Sequence, residues 1–344
     1  MTTKRILITG VGGSIGCHVF RHVLRNTDWD VVGLDSFRHK GLTDRVYRVT
    51  KKHPETFDRF KIFTHDLCAP ISDMLDLKMG RFDYIINLAA VSDVDDSLRH
   101  PEDVITGNTA IMVNMLEYAR RDPYVIKNFM HISTDEVYGP TDGKSAHKEW
   151  DPIVPSNPYS ASKACQEACA IAYWRSYNTP LTLINLMNNF GELQSAAKFP
   201  AMVQRMVRAG ETVNIHDFGA ENGFGSRCYI HSRNAADAMC FLLAKKKPFL
   251  HVPGKVDKPD RYNVVGDLQV DNLTMAQLIA DTIGKPLKYA IVDCRKNRPG
   301  HDAHYGLDGS KLAELGWISP HPFWYSLKQT VEWYERNPEW LDPK

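Results

Sequence analysis

The 344-residue sequence lacks long hydrophobic runs, an excess of charge of either sign and any low-complexity segment. Its longest apolar segments have the length of single strands, well short of the roughly 20 residues that a membrane-spanning helix needs. The 42 basic and 41 acidic side chains give a formal net charge of +1, which argues against a basic surface for nucleic acid or an anionic membrane. We therefore expect a globular protein whose partners are neither nucleic acid nor membrane.

Closely paired cysteines are also absent, because the seven cysteines are scattered and form no CxxC motif. Cys165 and Cys169 are one helical turn apart, but no histidine stands near them at the spacing of zinc ligands. This predicts reduced thiols and no metal site. The N-terminal segment MTTKRILITG runs directly into a predicted strand, so we expect no signal peptide and a cytoplasmic location.

The first half of the sequence alternates short apolar segments with longer helical ones. Because the apolar segments are continuous rather than alternating, they are typical of parallel strands buried on both faces. Strands are predicted at 5–9, 30–34, 60–64, 83–88, 128–133 and 181–187, and helices at 14–26, 101–121 and 158–177. The pattern predicts an α/β fold with a Rossmann-type, doubly wound parallel sheet.

The second half is less regular and contains loops rich in proline, glycine and aspartate. Helices are predicted near 199–209, 233–245, 274–283, 309–315 and 322–336, with short strands near 213–216 and 227–231. We interpret residues 188–344 as a smaller mixed α/β lobe that follows a Rossmann domain at residues 1–187. The pattern leaves open whether the chain crosses between the two more than once.

The segment RILITGVGGSIG near the N-terminus has the form of a dinucleotide-binding turn, with a plain glycine turn as the alternative. Gly10, Gly13 and Gly16 stand between a strand and a helix, where glycine lets backbone N–H groups approach a pyrophosphate. Asp35 ends the second strand, 19 residues after Gly16, where a carboxylate binds a ribose and repels a 2′-phosphate. This favours NAD as the cofactor, although Arg38 keeps NADP open.

Further cofactor contacts are predicted along the same edge of the sheet. Asp66 follows the third strand and is interpreted as an adenine contact, with a turn or helix cap as the alternative. The small residues of NLAA, 87–90, end the fourth strand and suit close approach of a ribose or pyrophosphate. The other residues predicted here to contact the cofactor are Ser14, Ile15, Ser36, Phe37, Arg38, Gly41, Leu67, Leu88, Ala89, Ala90 and Ser133.

A second motif, SNPYSASK, places Tyr159 and Lys163 four residues apart on one face of a helix. A lysine ammonium beside a phenol favours the phenolate, which makes Tyr159 a usable base near neutral pH. Such pairs also occur by chance in many helices. Here Thr134 stands at a strand end 25 residues earlier, so the three residues predict a hydride-transfer site in contact with the cofactor. Tyr159 would deprotonate an alcohol that Thr134 holds, and NAD would accept the hydride.

Two adjacent carboxylates, Asp135 and Glu136, follow Thr134 in the segment FMHISTDEVYGP. Neighbouring charges of the same sign repel each other and resist burial, so a solvated turn is one interpretation. The other is a pair of acids held for proton transfer, in which each opposes ionisation of the other and one pKa rises.

The sequence resembles the extended short-chain dehydrogenases/reductases over nearly its whole length. Within them it is similar to the nucleotide-sugar 4,6-dehydratases, above all to those that act on dTDP-glucose. The resemblance is carried by TGVGGSIG at 9–16, LAAVSDVDDSL at 88–98, STDEVYG at 133–139, PYSASK at 158–163, NNFG at 188–191 and NRPGHDAHYGLDGSKLAELGW at 297–317. The first and fourth motifs mark the superfamily, whereas TDEVYG and RPGHD are more specific to the dehydratases.

The resemblance implies an NAD-dependent NDP-hexose 4,6-dehydratase, a lyase of deoxysugar biosynthesis. Such an enzyme converts a dTDP- or UDP-glucose-like hexose to its 4-keto-6-deoxy form by oxidation at C4, loss of water across C5 and C6, and return of the hydride to C6. Glu136 is then implied as the base at C5, and Asp135 as the acid that protonates the leaving hydroxyl. Family members are commonly homodimers joined through the helices at 101–121 and 158–177.

The resemblance also assigns residues outside the hydride-transfer motifs. Asn108 is implied to support the Tyr159–Lys163 pair and to belong to the cofactor site, while residues 188–344 bind the nucleotide sugar. The substrate contacts include cations that suit a diphosphate, although each arginine alone could equally form a surface salt bridge. The predicted substrate residues are Ser92, Asn188, Asn189, Lys198, Arg227, Arg298 and Tyr305.

Several positions depart from the family pattern and leave the substrate open. Ser14 replaces a phenylalanine, Asn87 a histidine, Val91 a glutamate, Asp93 a histidine and Leu268 an asparagine. Two further interpretations therefore remain. One is an NDP-sugar 4-epimerase or UDP-glucuronate decarboxylase, which shares the fold but usually lacks the acidic pair. The other is a non-catalytic protein that retains the nucleotide-binding fold.

Overall fold

The computed structural model describes residues 3–39, 41–121, 125–219, 223–294 and 302–342. The strands of the first half are β1 (Arg5–Thr9), β2 (Asp30–Asp35), β3 (Phe60–Thr64), β4 (Tyr84–Asn87), β5 (Asn128–Thr134) and β6 (Leu181–Leu186). Those of the second half are β7 (Asn189–Phe190), β8 (Val213–Asp217), β9 (Ser226–Cys228), β10 (Ile230–His231), β11 (Asp260–Val264), β12 (Gln269–Asp271) and β13 (Tyr289–Asp293).

Helices connect most of these strands. The helices before β6 are α1 (Gly16–Asn26), α2 (Leu42–Lys51), α3 (Asp73–Met79), α4 (Val94–Arg99), α5 (Pro101–Arg120) and α6 (Pro158–Tyr177). The later ones are α7 (Phe199–Ala209), α8 (Ser232–Lys245), α9 (Asn272–Ile283), α10 (Ser310–Glu314) and α11 (Phe323–Arg336). Short 3-10 helices cover Pro54–Arg59, Asp135–Tyr138 and Pro338–Leu341. None of the helices in the described ranges combines the length and the apolar character needed to cross a membrane.

Seven parallel strands form the central sheet in the order β11-β6-β5-β4-β1-β2-β3. Successive side chains of a strand point to opposite faces. Ile6 and Ile8 accordingly join one apolar core with Met130, whereas Leu7 joins a second core with Phe129. Helices α1 and α8 cover the first core, and α5 and α6 cover the second. The predicted Rossmann-type α/β fold, with a parallel sheet covered by helices on both faces, is therefore confirmed.

The chain returns to this sheet after residue 188. Strand β11 pairs with β6, where Tyr262 lies opposite Ile184, and helix α8 packs against α1. A third apolar core, which includes Val203, Ile215 and Met275, lies among α7, α9, α11 and β8. The division at residue 188 stays a prediction, and the second half of the chain contributes both to the sheet and to this separate core.

Some elements differ from the prediction for local reasons. The sequence pattern did not indicate α2, α3 or α4, and the last two are only 7 and 6 residues long. Their N-termini are fixed by side-chain caps, in which Ser72 accepts from the Leu75 N–H and Asp93 from the Asp96 N–H. The prediction of a single strand at 227–231 is wrong, because the strand is interrupted at Tyr229. The two parts join different sheets, in which β9 pairs with β12 and β10 with β7.

Candidate functional site

The predicted site residues of the first half lie at the carboxyl ends of the parallel strands. The chain order reverses between β1 and β4, which are neighbours in the sheet. At such a point the connections leave the sheet in opposite directions, and a crevice opens between them. A cavity of about 1100 Å³ lies here, and its lining includes Gly13, Ser14, Ala90, Ser92 and Lys198.

The glycine turn after β1 is too tight for side chains at two of its positions. A Cβ on Gly16 would lie 2.0 Å from the Gly10 carbonyl oxygen, and a Cβ on Gly10 would lie 3.1 Å from the backbone of Ala89. Gly10 also has a φ of 67°, which favours glycine. The turn therefore brings bare backbone, followed directly by the N-terminus of α1, to the cavity wall, as a bound pyrophosphate requires.

Asp35 ends β2 and is buried beside this turn. Its carboxylate accepts hydrogen bonds from the backbone N–H groups of Gly12 at 2.9 Å and Phe37 at 3.1 Å. Arg38 instead forms an exposed ion pair with Asp66, at 3.2 Å. Carboxylates thus stand at the end of β2 and two residues after β3, and Arg38, which kept NADP open, is bound to the second of them. These contacts fit an adenosine ribose without a 2′-phosphate.

The remaining predicted cofactor residues follow strand ends along the same edge. Ser36 and Phe37 follow β2, Leu67 follows β3, and Gly41 immediately precedes α2. Three small or apolar residues come after β4, and Ser133 is the penultimate residue of β5. The residues after β4 are Leu88, Ala89 and Ala90, and those of the glycine turn before α1 are Gly13, Ser14 and Ile15. Their role in binding a cofactor stays a prediction.

Asp135 and Glu136 are buried, so the interpretation as a solvated turn is wrong. Thr134 ends β5, and its hydroxyl donates to Asp135 Oδ1 at 2.8 Å, while Asp135 Oδ2 is buried without a hydrogen-bond partner. Glu136 differs, because its Oε2 accepts from Asn157 Nδ2 at 3.1 Å. Burial and the charge of Glu136 raise the pKa of Asp135 to about 7. Burial also raises the pKa of Glu136, against the opposing effects of the Asn157 hydrogen bond and Arg227.

Helix α6 carries Tyr159 and Lys163 into the same region. Its first turn is fixed by a capping box, in which the Asn157 side chain and Ser160 bond each other's backbone N–H groups. Asn157 therefore both caps the helix and holds Glu136. Burial, followed by the charges of Glu136 and Asp135, raises the pKa of Tyr159 above its ordinary value.

Lys163 is almost completely buried behind Tyr159. Its Nζ donates to the Ile132 carbonyl oxygen at 2.7 Å and to Gln166 Oε1 at 2.6 Å. Burial lowers the pKa of Lys163 to about 7, and the charge of Glu167 opposes this shift. The predicted ammonium–phenol contact is not among the hydrogen bonds of the described residues, and Gln166 was not predicted to belong to the site.

Asn108 lies in α5 and joins three elements. Its amide donates to Ser162 Oγ at 2.8 Å and to the Val91 carbonyl oxygen at 3.0 Å, and its oxygen accepts from the Val91 N–H at 2.8 Å. The residue therefore fixes both the segment after β4 and the helix that carries Tyr159. This arrangement fits the supporting role that the resemblance implies, although that role stays a prediction.

Among the predicted substrate residues, Arg227 and Lys198 of the second half of the chain lie close enough to the acidic pair for their charges to act on Glu136. The Arg227 guanidinium stacks 4.4 Å from the centre of the Tyr305 ring and donates to the Asp302 carbonyl oxygen at 2.7 Å. Two amide atoms, Asn188 Oδ1 and Asn189 Nδ2, are buried without hydrogen-bond partners. Buried polar atoms are normally paired, so these atoms are suited to a polar ligand. Arg298 lies outside the described residues.

Lys198 stands at the mouth of the cavity and already has an acidic partner. Its Nζ lies 3.4 Å from Asp93 Oδ2 and 3.4 Å from the Ser92 carbonyl oxygen. Two other positions that depart from the family pattern are bound inside the fold. Asn87 accepts from the Thr9 hydroxyl at 2.7 Å, and Leu268 packs against the third apolar core. Among the described residues no group of histidine, cysteine, aspartate and glutamate side chains could hold a metal ion.

Sequence reasoning missed three contacts of this site, namely Asn157 to Glu136, Gln166 to Lys163 and Asp93 to Lys198. The first left a signal, since an asparagine before proline at a helix start is a strong N-cap. The second could have been found from helical spacing, because Gln166 is three residues from Lys163. The third joins residues 105 positions apart and has no local signal.

Comparisons with known proteins agree with the predicted family. The family model described as GDP-mannose 4,6 dehydratase matches residues 7–330. A dTDP-glucose 4,6-dehydratase of Escherichia coli is 30% identical over 362 residues, which cover 98% of this chain and 95% of that protein. A trifunctional UDP-glucose 4,6-dehydratase/UDP-4-keto-6-deoxy-D-glucose 3,5-epimerase/UDP-4-keto-L-rhamnose-reductase of Arabidopsis thaliana is 32% identical over 343 residues, covering 98% of this chain and 48% of that longer protein.

A solved structure gives the same result for the fold. The dTDP-glucose 4,6-dehydratase DesIV of Streptomyces venezuelae, determined with NAD bound, has a TM-score of 0.84 and 27% identity, and covers 98% of this chain and 99% of its own. Since the family model spans nearly the whole sequence, the chain belongs to the GDP-mannose 4,6 dehydratase family, and its predicted place among the nucleotide-sugar 4,6-dehydratases of the extended short-chain dehydrogenases/reductases is confirmed.

Proposed function

We propose that this chain is an NAD-dependent NDP-hexose 4,6-dehydratase, a lyase that forms a 4-keto-6-deoxy nucleotide sugar. The observation that carries the proposal is the buried pair of Asp135 and Glu136 beside Thr134, with one unpartnered carboxylate oxygen. Burying two adjacent carboxylates is unfavourable for folding alone. An oxidation at C4 needs only Thr134, Tyr159 and a cofactor, whereas loss of water needs a second base and an acid.

The residues at the cofactor edge fit NAD. The bare backbone of Gly10, Gly13 and Gly16 and the N-terminus of α1 would hold the pyrophosphate. Asp35 would bind the adenosine ribose and Asp66 would lie beside the adenine. Bound NAD would accept a hydride from C4 of the sugar and later return it to C6.

In the first step Tyr159 takes the proton of the C4 hydroxyl, while the Thr134 hydroxyl holds the same oxygen. Burial, and then the charges of the acidic pair, raise the pKa of Tyr159, so phenolate formation needs a compensating positive charge. Lys163, buried in the next turn of α6, is positioned to supply it. The Tyr159 base and the Lys163 charge therefore act as one unit.

In the second step the two carboxylates have different roles because their surroundings differ. The Asn157 amide and Arg227 favour the ionised form of Glu136, which suits a base that removes the C5 proton. Asp135 has a raised pKa and retains its proton toward neutral pH. Its unpartnered Oδ2 is free to present that proton to the leaving C6 hydroxyl.

The substrate is proposed to be a dTDP- or UDP-glucose-like nucleotide hexose. Lys198 and Arg227 supply cations for a diphosphate, and Tyr305 lies against Arg227. Arg298, outside the described residues, is proposed to complete this cradle. Asn188 and Asn189 offer unpartnered amide atoms to the sugar or the diphosphate, and Ser92 lines the same cavity as Gly13 and Lys198. The names of the relatives in dTDP-glucose, UDP-glucose and GDP-mannose chemistry support the nucleotide-sugar class and leave the base open.

Assembly and location remain part of the proposal. We infer a homodimer in which α5 and α6 of two copies pack together, since both helices lie side by side and Cys165 on α6 is exposed. We also propose the division into an NAD-binding domain at 1–187 and a nucleotide-sugar-binding lobe at 188–344. A cytoplasmic location is supported by the seven cysteines, none of which forms a disulfide bond.

The proposal is tested on purified protein without added cofactor. The protein is incubated separately with dTDP-glucose, UDP-glucose, GDP-mannose, CDP-glucose, UDP-N-acetylglucosamine and UDP-glucuronate, and the products are identified by mass spectrometry. Loss of one water from a donor would support the dehydratase, identify the base and show that NAD is retained. An isomeric product, or loss of carbon dioxide from UDP-glucuronate, would overturn it in favour of an epimerase or decarboxylase.

A further inference from the structure

A chain of buried hydrogen bonds begins one helical turn after Tyr159 and joins the two long helices α6 and α5. Lys163 Nζ donates to Gln166 Oε1 at 2.6 Å, and Gln166 Nε2 donates to the Asn108 carbonyl oxygen at 2.6 Å. Gln166 and Asn108 are completely buried, and Lys163 is 3% exposed. Gln166 is therefore the link between the ammonium of α6 and the backbone of α5.

The orientation of the Gln166 amide follows from its partners. An ammonium can only donate hydrogen bonds and a backbone carbonyl can only accept them. The amide oxygen must therefore face Lys163, and the amide nitrogen must face Asn108. Asn108 is itself fixed by its contacts with Ser162 and Val91, so the acceptor offered to Lys163 has one defined place.

The acceptor on Gln166 determines where the charge of Lys163 lies. The ammonium is tetrahedral, and the Ile132 carbonyl oxygen and Gln166 Oε1 take two of its donors. Two fixed partners leave one direction for the third N–H. Because the amide is neutral, it holds the ammonium without cancelling its charge. A carboxylate in the same place would cancel that charge.

We propose that Gln166 is a positioning residue that holds the Lys163 ammonium where its charge can act on the Tyr159 phenol. The inference deepens the proposed function and rests on it, because Tyr159 must be the base of the oxidation at C4. Gln166 touches neither the sugar nor the cofactor in this assignment, and it acts only through Lys163.

Other charged groups face this cluster from the neighbouring elements. Glu167, the next residue of α6, is held by the buried guanidinium of Arg261. From β5, His131 faces Lys163, and burial together with the charge of Lys163 keeps the pKa of His131 well below its ordinary value. The Asp135–Glu136 pair faces Tyr159 from the opposite side. None of these groups supplies the neutral acceptor that Gln166 offers.

The test is the pH dependence of cofactor reduction in Gln166→Met, which keeps the length of the side chain and removes its acceptor. Donor sugar is mixed rapidly with protein, and the near-ultraviolet absorbance of the reduced nicotinamide is followed across a pH series. Without its acceptor the buried ammonium loses its proton more easily, so less positive charge favours the phenolate. The acid limb of the pH–rate profile is expected to shift to higher pH by about one unit. At a given pH on that limb the rate should fall about tenfold.

Matched variants separate this effect from packing. Gln277→Met makes the same chemical change on the exposed face of α9 and should leave the acid limb in place. If Gln166→Met does not fold, Gln166→Leu decides by the same criterion, because it also removes the acceptor of Lys163 and should move the limb in the same direction. The NAD content of each purified variant, measured after acid release, confirms that the cofactor site is intact.

The outcomes are distinct. A rise of about half a pH unit or more with retained NAD supports the positioning role. A smaller movement, or a lower unfolding temperature alone, would overturn it and leave Gln166 as a packing residue. Absence of both a dehydrated product and cofactor reduction in the parent protein, at every pH and with every donor, would instead contradict the proposed function.

Discussion

The ammonium of Lys198 lies 3.4 Å from the carboxylate of Asp93, at the mouth of the cavity that extends to the glycine turn. Asp93 also caps α4 by accepting a hydrogen bond from the Asp96 N–H at 3.0 Å. Lys198 is the cation proposed to bind the substrate diphosphate. Its carboxylate partner therefore competes with the substrate for the same charge.

Asp93→Asn is expected to strengthen binding of a nucleoside diphosphate by about two- to fivefold, because asparagine caps a helix as well as aspartate does while removing the competing charge. The affinity is measured by calorimetry at two salt concentrations, since screening should reduce the difference. Asp95→Asn removes a charge from the exposed side of the same helix and serves as the control. Weaker binding by Asp93→Asn would mean that the carboxylate contacts the sugar itself.

Much of this site could be predicted from the sequence. Parallel strands place their carboxyl ends at one edge, so Asp35 at the end of β2 and Thr134 at the end of β5 had to lie on the side of the glycine turn. Helical spacing put Tyr159 and Lys163 on one face of α6. The pattern could not give the partner of each charged group, because that depends on side-chain directions across elements distant in the chain. Lys163 accordingly bonds Gln166, whereas the sequence indicated a direct contact with the phenol.

The lobe after residue 188 was predicted less well for a related reason. Strand β11 pairs with β6, but its own sequence, DRYNV, is not a continuous apolar run because it contains an aspartate and an arginine. Both polar side chains are buried, with Arg261 against Glu167 and Asp260 bonded to the Phe249 N–H. Buried ion pairs and hydrogen bonds of this kind are invisible to a hydrophobic pattern.

Glu136→Gln is expected to stop the reaction after oxidation at C4. The amide retains the shape of the side chain and can still meet Asn157, but it cannot take the C5 proton. Reduced cofactor should then accumulate with the donor sugar, and release of the dehydrated product should fall by about 100-fold or more. Absorbance of the reduced nicotinamide and mass spectrometry of the sugar measure the two steps separately.

Two controls locate the defect. Tyr159→Phe should lose cofactor reduction itself, because no base remains for the C4 hydroxyl, while its NAD content should equal that of the parent. Glu314→Gln, at the exposed end of α10, should behave as the parent in both measurements. Product release by Glu136→Gln at the parent rate would show that another residue removes the C5 proton.

The buried ion pair of Glu167 and Arg261 is expected to stabilise the junction of α6 and β11. Arg261 also stacks 4.2 Å from the centre of the Trp150 ring, and Glu167 accepts from Asn185 Nδ2 at 2.8 Å. Glu167→Ala would leave the guanidinium buried without its carboxylate, which costs about 3–5 kcal/mol of unfolding free energy. Chemical denaturation measures the loss.

The comparison for this pair is the double variant Glu167→Met with Arg261→Met. Replacing both partners with apolar side chains of similar length removes the unpaired charge, so the double variant should recover a large part of the stability lost by Glu167→Ala. An exposed pair, Lys328 and Glu332 on α11, should show a far smaller effect when its glutamate is replaced. Equal losses in the buried and exposed pairs would contradict the structural role assigned to Arg261.

Asp135→Asn is expected to stabilise the protein above neutral pH while abolishing loss of water. The folded state raises the pKa of this carboxyl from 3.8 to about 7 through burial and the charge of Glu136. Between those two values the folded protein binds more protons than the unfolded chain, so this group's contribution to stability falls as pH rises toward 7 and stays low above it. An amide has no proton to lose, and the difference between variant and parent should therefore widen from pH 5 to pH 8.

Thermal unfolding at the two pH values measures this difference, with an expected gain in Tm of about 2 °C or more at pH 8 and little gain at pH 5. The same proton explains why Asp135→Asn should abolish water loss, because Asp135 can donate to the leaving hydroxyl only while it is protonated. For the same reason, the parent's rate of water loss should decline as pH rises past about 7. Glu136→Gln is the matched variant, since it removes the neighbouring charge and should lower the pKa of Asp135, moving that decline to lower pH in any residual turnover. A gain in Tm that does not depend on pH would mean that Asp135 is already protonated throughout the range or that the amide acts through packing, and the assignment of Asp135 as the acid would then lose its physical basis.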